Sequence, residues 1–463
     1  MSLPAIKRAT KMPSPEELAA RVRGSQSTLM ERALIGWGVV NIVLILMQMF
    51  VSPFGAGVGV NIGNLNKYFM FSLAAWVMVA LLRKAAPLRV PGAMVFVVLV
   101  QVWFTVSTIV AQLQLGRSRE FMSADYVLVT YLLCFVNAAM MVYMEPRLRI
   151  WLKRAVVGLC LVSSFFAVLQ FLNFGPAIAV ANVMVGVGDI SNWGGQGGVR
   201  AMGLFPGVGT QVTYNLIAIA LIASALFQRK LKFVEIAVIV VLTGTILMTQ
   251  VRNSLPMVAL VLLPLIVLFV RRHKVQSIPY VVAGLVALAV LLMVGGDRFN
   301  YMFSGDTSTF DYRQDVLWPQ ARSIYQQRPW FGIGVEPAFT GADTLTRDRW
   351  SDGIIMDNGY LVTLAFGGLP ALSFMVLAIV AGALGSLRLI VNRSFGAMER
   401  GFALVAGVIV LHFGYEMYFG NMFTNVSLAM FYFILAGAAL PSKGVADKAK
   451  SLLGALRERA AAA

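Results

Sequence analysis

Three arginines in separate parts of the chain have side chains suited to binding a diphosphate: Arg200, Arg252 and Arg313. A guanidinium presents paired N–H donors that match two phosphate oxygens at once, so arginines that gather in one place favour a phosphate site. Each arginine also has a purely structural interpretation. Arg252 can snorkel at a helix end, and the other two can form ion pairs with aspartates of their own loops.

The elements that must position these arginines are apolar. The chain has 463 residues, of which 59% are hydrophobic and 13% charged, whereas a soluble domain is nearer half apolar and a quarter charged. Because so few charges cannot supply a polar surface, the composition excludes soluble enzymes and predicts an all-α polytopic membrane protein. Twelve apolar stretches are about long enough to cross a bilayer. They lie at 33–50, 68–82, 92–113, 126–144, 152–174, 210–228, 233–250, 254–270, 278–295, 366–387, 401–419 and 422–440.

The basic residues between these stretches are divided unevenly between alternate sides. One side carries 27 of the 38 lysines and arginines and 8 of the 21 acidic residues. Short basic loops stay in the cytoplasm, so both termini are predicted to be cytoplasmic. The net charge of +17 is then an orientation signal, and no nucleic acid is needed to explain it. The three arginines fall on the other, external side, where an anionic ligand would offset their cost.

The predicted organisation has a large external loop between helices 9 and 10. Residues 311–330 show roughly helical spacing of apolar residues, which predicts one or two amphipathic helices on the outer membrane face, interrupted near Pro319. The alternative is a small lid without chemistry. The first apolar run is predicted to be a signal anchor that is not removed. The predicted regions are a cytoplasmic tail (1–32), helices 1–9 (33–295) with an external loop (175–209), the large loop (296–356), helices 10–12 (357–440) and a second cytoplasmic tail (441–463).

Other residue types offer less chemistry. Cys134 and Cys160 lie inside apolar runs, which excludes a disulfide scaffold or a cysteine-rich zinc site. His273 belongs to a cytoplasmic basic cluster, whereas His412 is either a group that faces the active cavity or a hydrogen-bonded buried histidine. The aspartates of the large loop match no calcium-binding spacing. The sequence therefore predicts neither a metal nor a cofactor.

Several segments in a specific order resemble the superfamily of O-antigen polymerases and O-antigen ligases. Residues 200–205 (RAMGLF) and 249–254 (TQVRNS) are similar to two arginine-bearing motifs of that family. In the large loop, residues 312–334 follow the order R…W…A…P-x-x-G-x-G. After the loop, DNGYL at 357–361 and GGLP at 367–370 are similar to the family's H-N-x-Y-L and G-x-x-G segment. The resemblance covers about residues 195–375.

The resemblance implies a Wzy-type polymerase on the periplasmic face of a bacterial inner membrane. Such an enzyme transfers a growing glycan from a polyprenyl diphosphate to another lipid-linked repeat unit. The same resemblance allows a ligase that passes glycan to lipid A core, or a transferase to protein. Many ligases have a histidine where this chain has Asp357, and this departure favours a polymerase.

The resemblance also implies roles for individual residues. Asp357 is expected to accept the proton of the attacking hydroxyl, although an aspartate at this point also suits a helix N-cap. Arg200 and Arg313 are the other expected catalytic residues, because they stabilise the leaving diphosphate. The expected substrate-binding residues are Arg252, Asn358, Tyr360, Tyr312, Trp318 and His412.

A different class of function is a secondary transporter or flippase, since twelve spans with both termini inside also describe many transporters. Transporters usually carry ionisable residues near the bilayer midplane and internal repeats. Neither is evident here, and the large loop has no counterpart in the first half of the chain. The expected partners are therefore a polyprenyl-diphosphate-linked glycan and the bilayer, together with a possible flippase and chain-length regulator.

Overall fold

The fold was obtained as a computed structural model, and every regular element among the described residues is a helix. The described residues are 29–57, 62–86, 90–115, 121–185, 200–205, 207–251, 254–274, 282, 311, 313–334, 358–393, 395–419 and 426–440. The described part of the chain is thus all-α, which agrees with the predicted all-α membrane protein.

The described residues form thirteen α-helices. They are α1 (Leu29–Gly57), α2 (Ile62–Leu82), α3 (Gly92–Leu115), α4 (Phe121–Met144), α5 (Leu148–Phe171), α6 (Gly175–Val185), α7 (Val208–Ala223), α8 (Phe233–Met248), α9 (Ser254–His273), α10 (Trp318–Gln327), α11 (Gly359–Val391), α12 (Ala397–Phe419) and α13 (Val426–Ala438). A 3₁₀ turn, Ser224–Phe227, extends α7, and a π-helical turn, Arg313–Leu317, precedes α10.

Seven of the described helices are long and apolar enough to cross a membrane: α1, α3, α5, α7, α9, α11 and α12. Shorter apolar segments occur in α2, α4, α8 and α13. Each of these eleven helices falls on one of the predicted spans. The remaining predicted span, 278–295, lies outside the described residues except for position 282. The total of twelve spans and their orientation stay predictions.

Two element boundaries differ from the sequence prediction. The external loop predicted at 175–209 begins with α6, because residues 175–185 are apolar and place Pro176 in the first turn, where a proline suits a helix. The tenth span, predicted at 366–387, is part of the longer α11, which starts at Gly359 because Asn358 caps it. Only the second difference arises from a polar signal, the capping side chain of Asn358, which hydropathy does not detect.

The helix ends gather into two opposed groups. At one group, called the inner end, Arg149 at the start of α5 donates to the carbonyls of Ala438 (2.9 Å) and Leu440 (2.5 Å) beyond the last turn of α13. The Leu231 amide donates to His273 Nε2 at 3.1 Å at the same group. The other group, called the outer end, holds the carboxyl ends of α5, α8 and α12 and the amino ends of α7 and α11. This alternation fits the predicted topology, in which the outer end faces the periplasm.

Candidate active site

Residues 200–205, called the Arg200 segment, are shaped by one glutamine in α5. Gln170 is fully buried, and its Oε1 accepts from the amides of Met202 and Gly203, both at 2.9 Å. Its Nε2 donates to the Gly203 carbonyl at 2.8 Å and to the Ala177 carbonyl at 3.3 Å. The side chain therefore supplies the partners that this non-helical backbone lacks.

Gly203 makes a close approach that no other residue could make. Its φ is +63°, and an added Cβ would collide with Ser163 and with Gln211. Ser163 Oγ accepts from the Leu204 amide at 2.9 Å and donates to Gln211 Oε1 at 2.6 Å. The glycine of the RAMGLF motif is thus required by geometry, and it lets the backbone of the segment pass close to Ser163 of α5 and Gln211 of α7.

A buried polar network ties α5, α7 and α8 together behind this segment. Gln211 Nε2 donates to Asn215 Oδ1 at 3.1 Å, and Asn215 Nδ2 donates to Thr245 Oγ1 at 2.8 Å. Thr245 Oγ1 also lies 3.1 Å from Ser164 Oγ. Polar side chains in a membrane interior are costly unless they are paired, so this network fixes the relative positions of the three helices.

The second arginine motif begins beside the Arg200 segment. The Ala201 amide donates to the carbonyl of Met248, the last residue of α8, at 3.3 Å. Ala201 also packs in a small apolar cluster with Phe171 and Leu247. The turn that follows α8 passes through Gln250 at φ +54° and leads to Arg252, which lies outside the described residues. The structure thus places the two motifs next to each other through their backbones.

The large loop contributes α10 and the segment that follows it, residues 329–334, called the strap. Trp318 is 7% exposed and stacks edge-on against Tyr418 of α12, with ring centroids 5.5 Å apart. Pro319 stands in the first turn of α10, directly after the boundary between the π-helical turn and the α-helix, which agrees with the predicted interruption near Pro319. Arg313 lies in the π-helical turn directly before α10 and is partly exposed. Tyr312 lies outside the described residues.

The strap, residues 329–334, is bonded to α11 where that helix kinks. The amides of Ile333 and Gly334 donate to the carbonyls of Ala365 (2.9 Å) and Phe366 (3.0 Å), and the Leu369 amide donates back to the Pro329 carbonyl at 2.8 Å. Gly332 has φ +59°, and a Cβ there would collide with the Ala365 carbonyl. The P-x-x-G-x-G motif is therefore a docking segment that holds the large loop on α11.

The amino end of α11 carries Asn358 and Tyr360. Asn358 is 3% exposed, and its Oδ1 accepts from the amides of Tyr360 and Leu361, both at 3.0 Å. The N-cap is thus Asn358, so the alternative interpretation of Asp357 as the cap is wrong; Asp357 itself lies outside the described residues. Tyr360 donates its hydroxyl to the Gly414 carbonyl of α12 at 2.6 Å.

His412 is buried and has several partners. It is 1% exposed, with Nδ1 2.7 Å from the Tyr432 hydroxyl and Nε2 3.3 Å from Thr213 Oγ1. Glu416, one turn nearer the outer end, has an oxygen 3.8 Å from His412 Nε2 and a side chain that is 15% exposed. The structure thus has the hydrogen-bonded buried histidine that was the alternative interpretation, and a direct contact with substrate stays a prediction.

These contacts form one continuous path around the outer end. The Arg200 segment bonds Ser163 of α5, which in turn bonds Gln211 of α7. Thr213 of α7 contacts His412 of α12. Gly414 and Tyr418 of α12 contact α11 and α10, respectively. The sequence interpretation missed Gln170, Ser163 and Gln211; the signal that could have found them is an isolated polar residue inside an apolar span. Among the described residues, no group of three or more His, Cys, Asp or Glu side chains could hold a metal ion.

Comparison with known families agrees with the sequence motifs. Residues 237–376 match the family model described as O-antigen ligase. This match confirms the resemblance to the superfamily of O-antigen polymerases and ligases, and it runs from α8 through the large loop to the kink of α11. The Arg200 segment and His412 lie outside the matched residues. No curated protein was found to match the chain.

Proposed function

We propose that the protein is a membrane glycosyltransferase that polymerises polyprenyl-diphosphate-linked oligosaccharide repeat units into O-antigen or exopolysaccharide on the periplasmic face of the inner membrane. The observation that supports this proposal is that the Arg200 segment, the end of α8 before Arg252, and α10, which follows Arg313, all lie at the outer end of the helices. Separate loops supply the Arg200 segment, the turn before Arg252, and α10 with Arg313. A lipid-linked diphosphate at the membrane surface is a ligand that suits several arginines held on rigid helix ends.

In the proposed reaction, the hydroxyl of the acceptor repeat unit attacks the anomeric carbon of the lipid-linked glycan. A C–O bond to the acceptor forms, and the bond between the anomeric carbon and the diphosphate oxygen breaks. Arg200, Arg252 and Arg313 hold the charge that develops on the departing diphosphate. Asp357 accepts the proton of the hydroxyl, and Tyr312, Trp318, Asn358 and Tyr360 line the acceptor or carrier site. No further reactant is needed, because the diphosphate is already an activated leaving group.

The test of the overall function is gene deletion followed by extraction of lipid-linked intermediates. A polymerase predicts that single repeat units accumulate on the carrier and that surface polymer is lost. Residues 237–376 match a family model described as O-antigen ligase, which favours a ligase as the second candidate function. For a ligase, deletion leaves complete polymer on the carrier, not delivered to its acceptor. A flippase would instead leave single units on the cytoplasmic side of the membrane.

The diphosphate clamp is tested by three charge-conserving variants, Arg200→Lys, Arg252→Lys and Arg313→Lys. A lysine keeps the charge but cannot form the two-pronged contact, so each variant is expected to slow turnover. Arg322→Lys is the matched control, because Arg322 is an exposed arginine in α10 that is not one of the R…W…A…P-x-x-G-x-G residues. Full activity of all three variants in proteoliposomes would refute the proposal that these arginines hold the diphosphate.

The role of Asp357 is tested by Asp357→Asn, which removes the base and keeps a side chain of similar size. Because Asn358 and not Asp357 caps α11, the variant leaves the helix start intact. A positioned base typically contributes about a hundredfold to ten-thousandfold in rate, and a loss of that order is expected. If the variant polymerises at the parental rate, the base lies elsewhere, and Glu416→Gln is the next variant to measure.

A further inference from the structure

A large cavity lies between helices at the inner end, away from the candidate active site. Its volume is about 730 Å³, and it is lined by α3, α4, α11, α12 and α13. It runs from Arg388 and Asn392 near the end of α11 to Gln101 and Tyr432 near the middle of the helices. A volume of this size is in the range of about 300–1,000 Å³ that is usual for ligand sites.

The walls of this inner cavity are apolar, and small residues open it. Ala378, Ala381, Gly382 and Gly385 follow one side of α11 along the cavity. A Cβ added at Gly385 would meet no atom within 4 Å, so the space continues to the backbone of the helix. Water binds weakly in a cavity lined by hydrocarbon side chains because it finds few hydrogen-bond partners, whereas another hydrocarbon gains contacts there.

Among the described residues that line the cavity, Arg388 alone carries a formal charge, and it stands at one end of the cavity. Arg388 lies in the last turn of α11 and is exposed. By the predicted topology, this end faces the cytoplasmic leaflet, whose anionic lipids attract arginine side chains near the surface. An apolar cavity with the Arg388 cation at its mouth is complementary to a lipid that has a hydrocarbon tail and an anionic head.

We propose that the inner cavity binds one acyl chain of an anionic phospholipid from the cytoplasmic leaflet, with the head group at Arg388. The bound acyl chain lies between α11 and α13 and packs against Phe413 of α12, which is the neighbour of buried His412. The carrier's own polyprenyl chain is a poorer occupant, because the carrier's charge belongs at the outer end beside Arg200 and Arg313. The preference for a phospholipid over the carrier rests on the proposed diphosphate site, whereas the cavity, its apolar walls and Arg388 are independent of it.

The experiment measures lipid retention by native mass spectrometry on the full-length protein. The protein is delipidated in detergent, mixed with phosphatidylglycerol or with phosphatidylcholine of the same chains, and examined for bound lipid. The wild type is expected to hold one phosphatidylglycerol. Gly385→Trp, which fills the cavity, is expected to lose it. Gly36→Trp is the matched control, since Gly36 has open space at its Cβ on α1 and does not line the cavity.

A second pair of variants tests the head group without filling the cavity. Arg388→Gln is expected to lower the preference for phosphatidylglycerol about fivefold, the effect of one arginine near anionic lipid. Arg393→Gln, an exposed arginine two residues beyond α11 that does not line the cavity, is expected to leave the preference unchanged. Equal binding of the two phospholipids by the wild type, or retention of lipid by folded Gly385→Trp, would overturn the proposal. Displacement of phosphatidylglycerol by an equimolar amount of polyprenyl phosphate would assign the cavity to the carrier instead.

Discussion

The most informative variant for the architecture of the site is Gln170→Leu. Leucine is apolar and of similar size, so the variant removes four hydrogen bonds without opening a large cavity. The amides of Met202 and Gly203 lose their acceptor, and the carbonyls of Gly203 and Ala177 lose a donor. Two buried amides left without partners cost about 1–3 kcal/mol each, which sums to about 2–6 kcal/mol.

Release of the Arg200 segment from the helix ends costs less free energy than leaving two buried amides without partners. The helices around it keep their own bonds and apolar contacts, so global unfolding is not required. We therefore expect a fall of only a few degrees in the unfolding temperature but a fall of about a hundredfold in turnover, since small misplacements of positioning groups have effects of that size. The larger effect on activity than on stability is the signature of this mechanism.

Turnover can be measured with lipid-linked repeat units extracted from a strain that lacks the gene. Purified protein in proteoliposomes converts them to longer glycans, which are resolved on gels. Gln170→Glu is a graded variant, because a carboxyl group buried here takes up a proton. It then accepts from both amides through one oxygen but has a single O–H for the two carbonyls, so its activity should be intermediate. Gln228→Leu, at an exposed position at the inner end, is the control. A folded Gln170→Leu protein with parental turnover would refute the role assigned to the Arg200 segment.

Three further outcomes are expected. Polymerisation in proteoliposomes should survive EDTA, since the mechanism needs no metal; loss on chelation with recovery on adding a divalent ion would contradict it. Single cysteines at Gly175, Ser304 and Ser351, in a protein without native cysteines, should react from outside with an impermeant thiol reagent; labelling only after lysis would reverse the topology. Tyr360→Phe should lower stability by about 0.5–1.5 kcal/mol, because it leaves the Gly414 carbonyl without its donor; an unchanged unfolding temperature in detergent would show that this bond contributes nothing.

The membrane-crossing helices could be predicted from the sequence because hydropathy and length determine them. An apolar run of about twenty residues has one favourable state in a bilayer, the helix, whatever lies beside it. The start of α11 was placed seven residues late, at 366 instead of Gly359, because hydropathy does not detect a cap. Asn358 begins the helix by accepting two amide bonds, and that information lies in one side chain.

The interior of the site could not be predicted in the same way. Gln170 is one polar residue in an apolar span, and its partners are 32 and 33 residues away along the chain. Nothing in its own neighbourhood says whether it faces lipid, another helix or a loop. The Arg200 motif was recognised, but the residue that shapes it follows only from the packing of α5 against α7.

The kink of α11 shows how the chain builds non-helical structure at the end of an apolar bundle. In a regular helix, the carbonyls of residues 365–367 would accept from amides four residues on. Here Gly368 has φ +68° and ψ −171°, and Pro370 has no amide to donate. The three released carbonyls accept instead from Ile333, Gly334 and the indole of Trp103 at 2.8–3.0 Å.

The Leu369 amide, which would have bonded within the helix, donates to the strap. The kink therefore leaves none of these four backbone groups without a partner, and apolar surroundings would make each such loss costly. This exchange explains why glycines and a proline occur together in the GGLP segment after the large loop. Gly368 permits the change of backbone direction. Pro370 has no amide to donate to the Phe366 carbonyl, which accepts instead from Gly334 of the strap. The strap is thereby attached to the same helix that carries Asn358 and Tyr360.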